Sequence, residues 1–134
     1  MYKQAAQAYQ KTSQVAISPR ELEANLLMKA AARLQLIKDE WEDSSLAEKD
    51  DALVYNRKLW TILVTSATSE ESQLPQDIKN NIATLGVFIF KQTIAIMTDD
   101  DANKLTSIIG INRAIAEGLR SQPEAAAAQE TGNV

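Results

Sequence analysis

Two serines set the frame of this chain. Ser18-Pro19-Arg20-Glu21 and Ser45-Leu46-Ala47-Glu48 each place a hydroxyl at a helix N-cap and a glutamate three residues on. That reciprocal pattern satisfies the free amides of a first helical turn. The first also has proline at the first helical position, where its missing N–H costs nothing. With only 4 glycines and 3 prolines in 134 residues, and a composition rich in Ala, Leu, Ile, Glu, Lys and Gln, the chain is committed to long helices.

Apolar residues fall at helical spacing behind each start signal. Leu22, Leu26, Ala30, Leu34, Ile37 and Trp41 form the clearest core stripe. The helix opened by Ser45 runs to about Ala67, and the polar stretch Ser66–Gln73 reads as a loop. Leu74-Pro75 begins the next helix, with Asp77 in its first turn, where a carboxylate suits the helix dipole, and it continues to about Met97. Thr98 and three aspartates mark a break, and a last helix follows from about Ala102 to Arg120. Ahead of Ser18, the residues Tyr2, Ala5, Ala6, Tyr9 and Ser13 share one face of a weakly amphipathic helix over about residues 2–13. Short loops imply antiparallel neighbours. The expectation is an all-α fold: a compact bundle of about five mostly antiparallel helices, one domain over residues 1–121, with the alanine-rich stretch 122–134 as a flexible tail.

Charge and residue usage exclude several function classes. The net charge is −4 with no long basic run, which disfavours direct nucleic-acid binding, since phosphate contacts need clustered Lys and Arg. There is no histidine and no cysteine, so the usual neutral-pH base, the commonest transition-metal ligand, thiol chemistry and disulfides are all absent. No glycine loop cradles a phosphate, and Asp99-Asp100-Asp101 lacks the glycine and distal glutamate of a calcium loop. No catalytic residue, metal or cofactor is expected, and the chain is not expected to be an enzyme. The start, MYKQAAQAYQK, lacks the apolar core of a signal peptide, and no window approaches the roughly 18 uninterrupted apolar residues of a membrane span. A cytoplasmic location without membrane insertion is expected.

Two features point to binding. Asn56 lies in the middle of the face made by Leu53, Leu59, Trp60 and Leu63, and Asn112 in the middle of that made by Leu105, Ile108, Ile109, Ile115 and Leu119. Asn81 flanks the stripe Ile78, Ile82, Leu85, Ile89 and Ile96. An unpaired buried amide costs about 1–3 kcal/mol, so these amides either bond one another and fix helix register or line a groove that binds a partner's backbone. The second feature is the helix from Leu74 to Met97. Its other stripe, Ala83, Val87, Phe90, Ile94 and Met97, lies nearly opposite the first. Such a helix is either central in the bundle, the simpler reading, or exposes a face for a partner's helix. Gly86 within it suggests close approach by another helix. Arg57-Lys58 and Arg113 are rim candidates, although a solvated face explains them as well. The candidate partner-binding set is Tyr55, Asn56, Trp60, Asn81, Leu85, Val87, Phe90, Ile94, Met97, Asn112 and Arg113.

The run RELEANLLMKAAARL, the motif YNRKLWTIL, the stretch LPQDIKNNIATLGVFIF and the closing INRAIAEGL together resemble the flagellar protein family FlaF, over about residues 1–121. One departure is Ser72-Gln73, where the family pattern suggests Asn-Pro; it touches only a loop. The resemblance implies a non-enzymatic cytoplasmic factor whose partner is flagellin. It would act as a secretion chaperone covering an amphipathic terminal helix, with possible contact to the flagellar export gate. The alternative it implies is a regulator of flagellin synthesis that contacts the translational repressor FlbT.

Overall fold

A computed structural model describes residues 18–122, which form four α-helices and two 3-10 turns. In chain order these are α1 (Pro19–Asp39), a 3-10 turn (Trp41–Asp43), α2 (Leu46–Thr68), α3 (Gln76–Asp99), a second 3-10 turn (Ala102–Lys104) and α4 (Leu105–Ser121). There is no strand among the described residues. The all-α class holds with four helices rather than about five. The helix expected over residues 2–13 and nearly all of the expected tail lie outside the described residues. Both serine caps form: Ser18 Oγ accepts from the Glu21 amide and Ser45 Oγ from the Glu48 amide, each at 3.1 Å. The aspartate triplet also resolves chemically. Asp100 closes α3 in a left-handed conformation (φ 51°), one that aspartate tolerates better than most residues, and Asp101 caps the following turn by accepting from the Asn103 amide at 3.0 Å.

Long-range contacts fix the topology. Arg120 pairs with Glu21 at 3.5 Å while Asn112 reaches Leu27, so α1 and α4 run antiparallel. Val64 approaches Gly86, and Lys49 lies 3.7 Å from Asp100, so α2 and α3 are antiparallel as well. The helices form a ring in which α1 packs extensively on α4, α2 on α3 and α1 on α2, while α3 and α4 touch least. One end of the ring is tied by Asp100, which accepts from Trp41 Nε1 at 3.0 Å; Lys49 Nζ sits 4.2 Å above the same indole. The core is shared by all four helices. On α1 it is built from Ala24, Leu27, Ala30, Ala31, Leu34 and Ile37. This corrects the sequence expectation: Leu22 is 50% exposed, because the buried face of α1 includes Ala24, Leu27, Ala31 and Leu34, and Leu22 lies about 140° around the helix from Leu27.

The two central asparagines are fully buried and bonded to each other. Trp60 Nε1 donates to Asn112 Oδ1 at 2.8 Å, and Asn112 Nδ2 donates to Asn56 Oδ1 at 2.7 Å, with a longer contact of 3.4 Å to the Leu27 carbonyl. One side chain of α4 thereby engages both α2 and α1. Asn56 Nδ2 is buried without an acceptor among the described residues. Asn81 takes no part in this relay and is exposed, so only two of the three expected amides face the core.

The α2–α3 contact is set by Gly86. A Cβ there would lie 2.5 Å from Val64 Cγ2 and 3.8 Å from Trp60 Cε3, so the absent side chain lets the helices close. Replacing Gly86 with alanine gains about 1 kcal/mol of helix propensity but overpacks a tight contact, a penalty of about 1–3 kcal/mol. Gly86→Ala is expected to destabilise the wild type and to be neutral or stabilising in a Val64→Ala background. Denaturant titration of the double-mutant cycle measures that sign change. The relay gives a second expectation. Asn112→Leu strands both Trp60 Nε1 and Asn56 Oδ1 and is expected to cost about 2–6 kcal/mol, at about 1–3 per stranded group. Asn56→Leu strands only one donor and removes an amide that already lacks an acceptor, so it is expected to cost less than half as much. Equal losses for the two variants would rule out Asn112 as the hub.

Candidate functional site

The exposed apolar surface is concentrated on α3. Its inward face is Ile82, Gly86, Ile89, Thr93 and Ile96, and Thr93 satisfies its buried hydroxyl by donating back to the Ile89 carbonyl at 2.7 Å. Val87 is 53% exposed, Ile94 66% and Met97 50%, with Ala83 and Phe90 half-buried beside them. At about 100° per residue these five positions lie on one flank of α3, adjacent to the buried face rather than opposite to it. The helix is therefore peripheral, which corrects the simpler expectation of a central helix. It has one extensive neighbour, α2, and touches α4 much less; near the second 3-10 turn Gln92 donates to the Lys104 carbonyl at 3.2 Å. Its most apolar window has a mean hydropathy of 1.3 and is only 28% buried, so α3 is long and apolar enough, by length and composition, to cross a membrane.

The flank has a regular internal spacing. Ala83, Val87, Phe90, Ile94 and Met97 follow one another in steps of four, three, four and three residues. That is the heptad spacing of a coiled-coil seam, with β-branched Val87 and Ile94 alternating with the larger Phe90 and Met97. On α2, Arg57, Thr61, Val64 and Thr68 occupy one strip, and Val64 places that strip beside α3 at Gly86. Thr61, Thr65 and Thr68 each donate to the carbonyl four residues back, at 3.0, 2.7 and 2.7 Å, so their hydroxyls are satisfied within the helix. The result is an apolar shelf, with the α3 seam on one side and threonine methyls on the other. Leu46 and Ile62, also exposed, stand about 160° apart on α2 and form no stripe.

The residues expected to bind a partner fall into three places. Val87, Phe90, Ile94 and Met97 lie together on the seam. Asn56, Trp60 and Asn112 are fully buried and present nothing to a partner while the bundle is closed. The remaining four are scattered. Asn81 and Leu85 lie on the other flank of α3, Tyr55 lies under the Arg33 guanidinium (5.2 Å to the ring centroid), and Arg113 is exposed on α4. Sequence reasoning missed Thr61, Thr68 and Lys91 along the shelf. A signal for them existed in the heptad steps, because the positions bordering a seam follow from its register.

A second concavity, of about 380 Å³, lies at the Trp41–Asp100 end and is lined by Asp39, Glu40, Glu42, Asp43, Asp100 and Asp101 among others. No group of three or more acidic side chains among the described residues is arranged to hold a metal ion. Elsewhere, burial raises the Glu23 carboxyl above its ordinary range, partly offset by the neighbouring Arg20.

Comparison with known protein families gives a match. The profile of the family described as flagellar protein FlaF matches residues 5–119, which spans all of α1, α2 and α3 and nearly all of α4. No curated protein and no solved structure matches the chain. The match covers most of the 134 residues, including the buried relay and the exposed seam, and the chain belongs to the FlaF family of flagellar proteins.

Proposed function

We propose that this protein is a non-enzymatic, cytoplasmic flagellin-binding export chaperone that covers an amphipathic terminal helix of flagellin during flagellum assembly. Membership of the FlaF family gives the flagellar role. The observation that carries the binding role is the seam on α3, where Val87, Ile94 and Met97 each keep half or more of their surface in water. Flagellin's terminal helices pack against one another in the filament, so before export their apolar faces need a temporary cover. A shelf of helix length, lined by apolar side chains and satisfied threonines, fits that task by the helix-in-groove mode.

The magnitudes favour a weak, reversible complex. Full burial of a large apolar side chain is worth about 1.5–3 kcal/mol, and these are already about half buried, so covering four of them yields about 3–6 kcal/mol. Association alone costs on the order of 4–15 kcal/mol. The seam alone therefore holds a partner loosely, and rim contacts decide whether binding is useful. A chaperone that must release its cargo at the export gate needs such an interface.

Pull-down of flagellin by the full chain tests this. Retention is expected for intact flagellin and lost when one of its terminal helices is deleted. Val87→Asp with Ile94→Asp is expected to weaken retention at least about tenfold while shifting stability by no more than about 0.5 kcal/mol per site, since both positions are exposed. Capture of FlbT instead of flagellin would move the reading to regulation of flagellin synthesis. Retention on lipid vesicles instead would assign the seam to a bilayer.

A further inference from the structure

Resting on the reading of α3 as the binding site, we infer that the seam selects helices whose apolar stripe is bordered by acidic residues. The chain as a whole is acidic, with a net charge of −4, yet the borders of this seam are cationic. On the solvent side the bordering positions are Thr84, Lys91 and Thr98. On the α2 side, counting back from the Val64–Gly86 contact along antiparallel helices places Arg57 level with Thr93 and Ile94. Lys79 continues the seam toward the start of α3. The middle of the seam is thus bracketed by Arg57 on one side and Lys91 on the other. Both are exposed, and neither Arg57, Lys79 nor Lys91 forms an ion pair among the described residues, in contrast to Lys49, Lys104 and Arg120. On the two strips the first carboxylate is Asp50, which falls level with Asp100, beyond Met97.

This charge pattern discriminates among occupants. The stretch of this chain before Ser18 contains Lys3 and Lys11 and no acidic residue, so it would meet like charge on both borders. A second copy pairing antiparallel along the same seam would bring Lys91 against its own symmetry mate. A foreign helix with glutamates or aspartates beside its apolar stripe meets complementary charge on both sides. In coiled coils the positions bordering the seam set partner choice in this way. Here the cations act mainly on selectivity and encounter, with apolar contact supplying adhesion.

Two synthetic three-heptad peptides test this on the full-length protein. Both carry leucine at the two core positions; one has glutamate and the other lysine at the bordering positions, and like charge keeps each monomeric. The wild-type chain is expected to bind the glutamate-bordered peptide about fivefold to tenfold more tightly, a preference that salt reduces. The double variant Arg57→Glu/Lys91→Glu, folded by circular dichroism, is expected to invert the preference. No binding of either peptide, equal binding of both, or a preference the variant leaves unchanged would overturn the inference. So would self-association of the wild-type chain that Val87→Glu abolishes, which would give the seam to a second copy. Flagellin retention without charge preference refutes the inference and leaves the chaperone reading standing. Inversion with the peptides but no flagellin retention supports the inference and refutes the chaperone reading.

Discussion

The bundle depends on one side chain placed where an apolar residue would ordinarily go. Asn112 accepts from Trp60 and donates to Asn56, and its amide also lies near the Leu27 carbonyl of α1. In a core of close-packed aliphatic residues, apolar contact alone tolerates many rotations and slides of one helix on another. Directional bonds between fully buried groups do not, because a register shift strands each donor and acceptor at about 1–3 kcal/mol apiece. The relay therefore specifies which faces of α1, α2 and α4 meet.

That specification leaves α3 with an incomplete environment. α2 presents Trp60 and Val64 to it, and Gly86 lets it close onto them, but α4 packs mainly on α1 and touches α3 little. A helix with apolar residues on two adjacent faces and one extensive neighbour keeps one of those faces in water. For an isolated fold this wastes burial, since three side chains that are half or more exposed forgo several kcal/mol of stabilisation. In a protein whose role is to meet another helix, the same exposure is the interface.

Much of this was legible in the sequence, for identifiable reasons. The Ser18 and Ser45 caps depend only on residues three apart, so local chemistry determined them. The central position of Asn56 and Asn112 followed from the helical period, and both are buried. Asn81 was misplaced because it only borders its stripe, and small differences in helix rotation turn such a residue to solvent. Leu22 is exposed for a related reason: periodicity favours the largest side chains, whereas the buried face of α1 includes the small Ala24, Ala30 and Ala31. The peripheral position of α3 was not legible, because it depends on which helices claim α4, a matter of tertiary competition. The Trp41–Asp100 bond spans 59 residues and leaves no local trace. Of the candidate set, Val87, Phe90, Ile94 and Met97 share one flank of α3, whereas Asn56, Trp60 and Asn112 are buried, because a polar group on an apolar face looks the same in sequence whether it bonds inward or outward.

The central claim is that α3 and the adjoining strip of α2 form an open shelf for another protein's helix. Amide hydrogen exchange on the full chain, alone and with flagellin, tests it most directly. The account predicts slowed exchange concentrated in α2 around residues 57–68 and in α3 around residues 83–97, with α1 and α4 little changed. Protection confined to α1 and α4, with α3 exchanging as in the free protein, would contradict it.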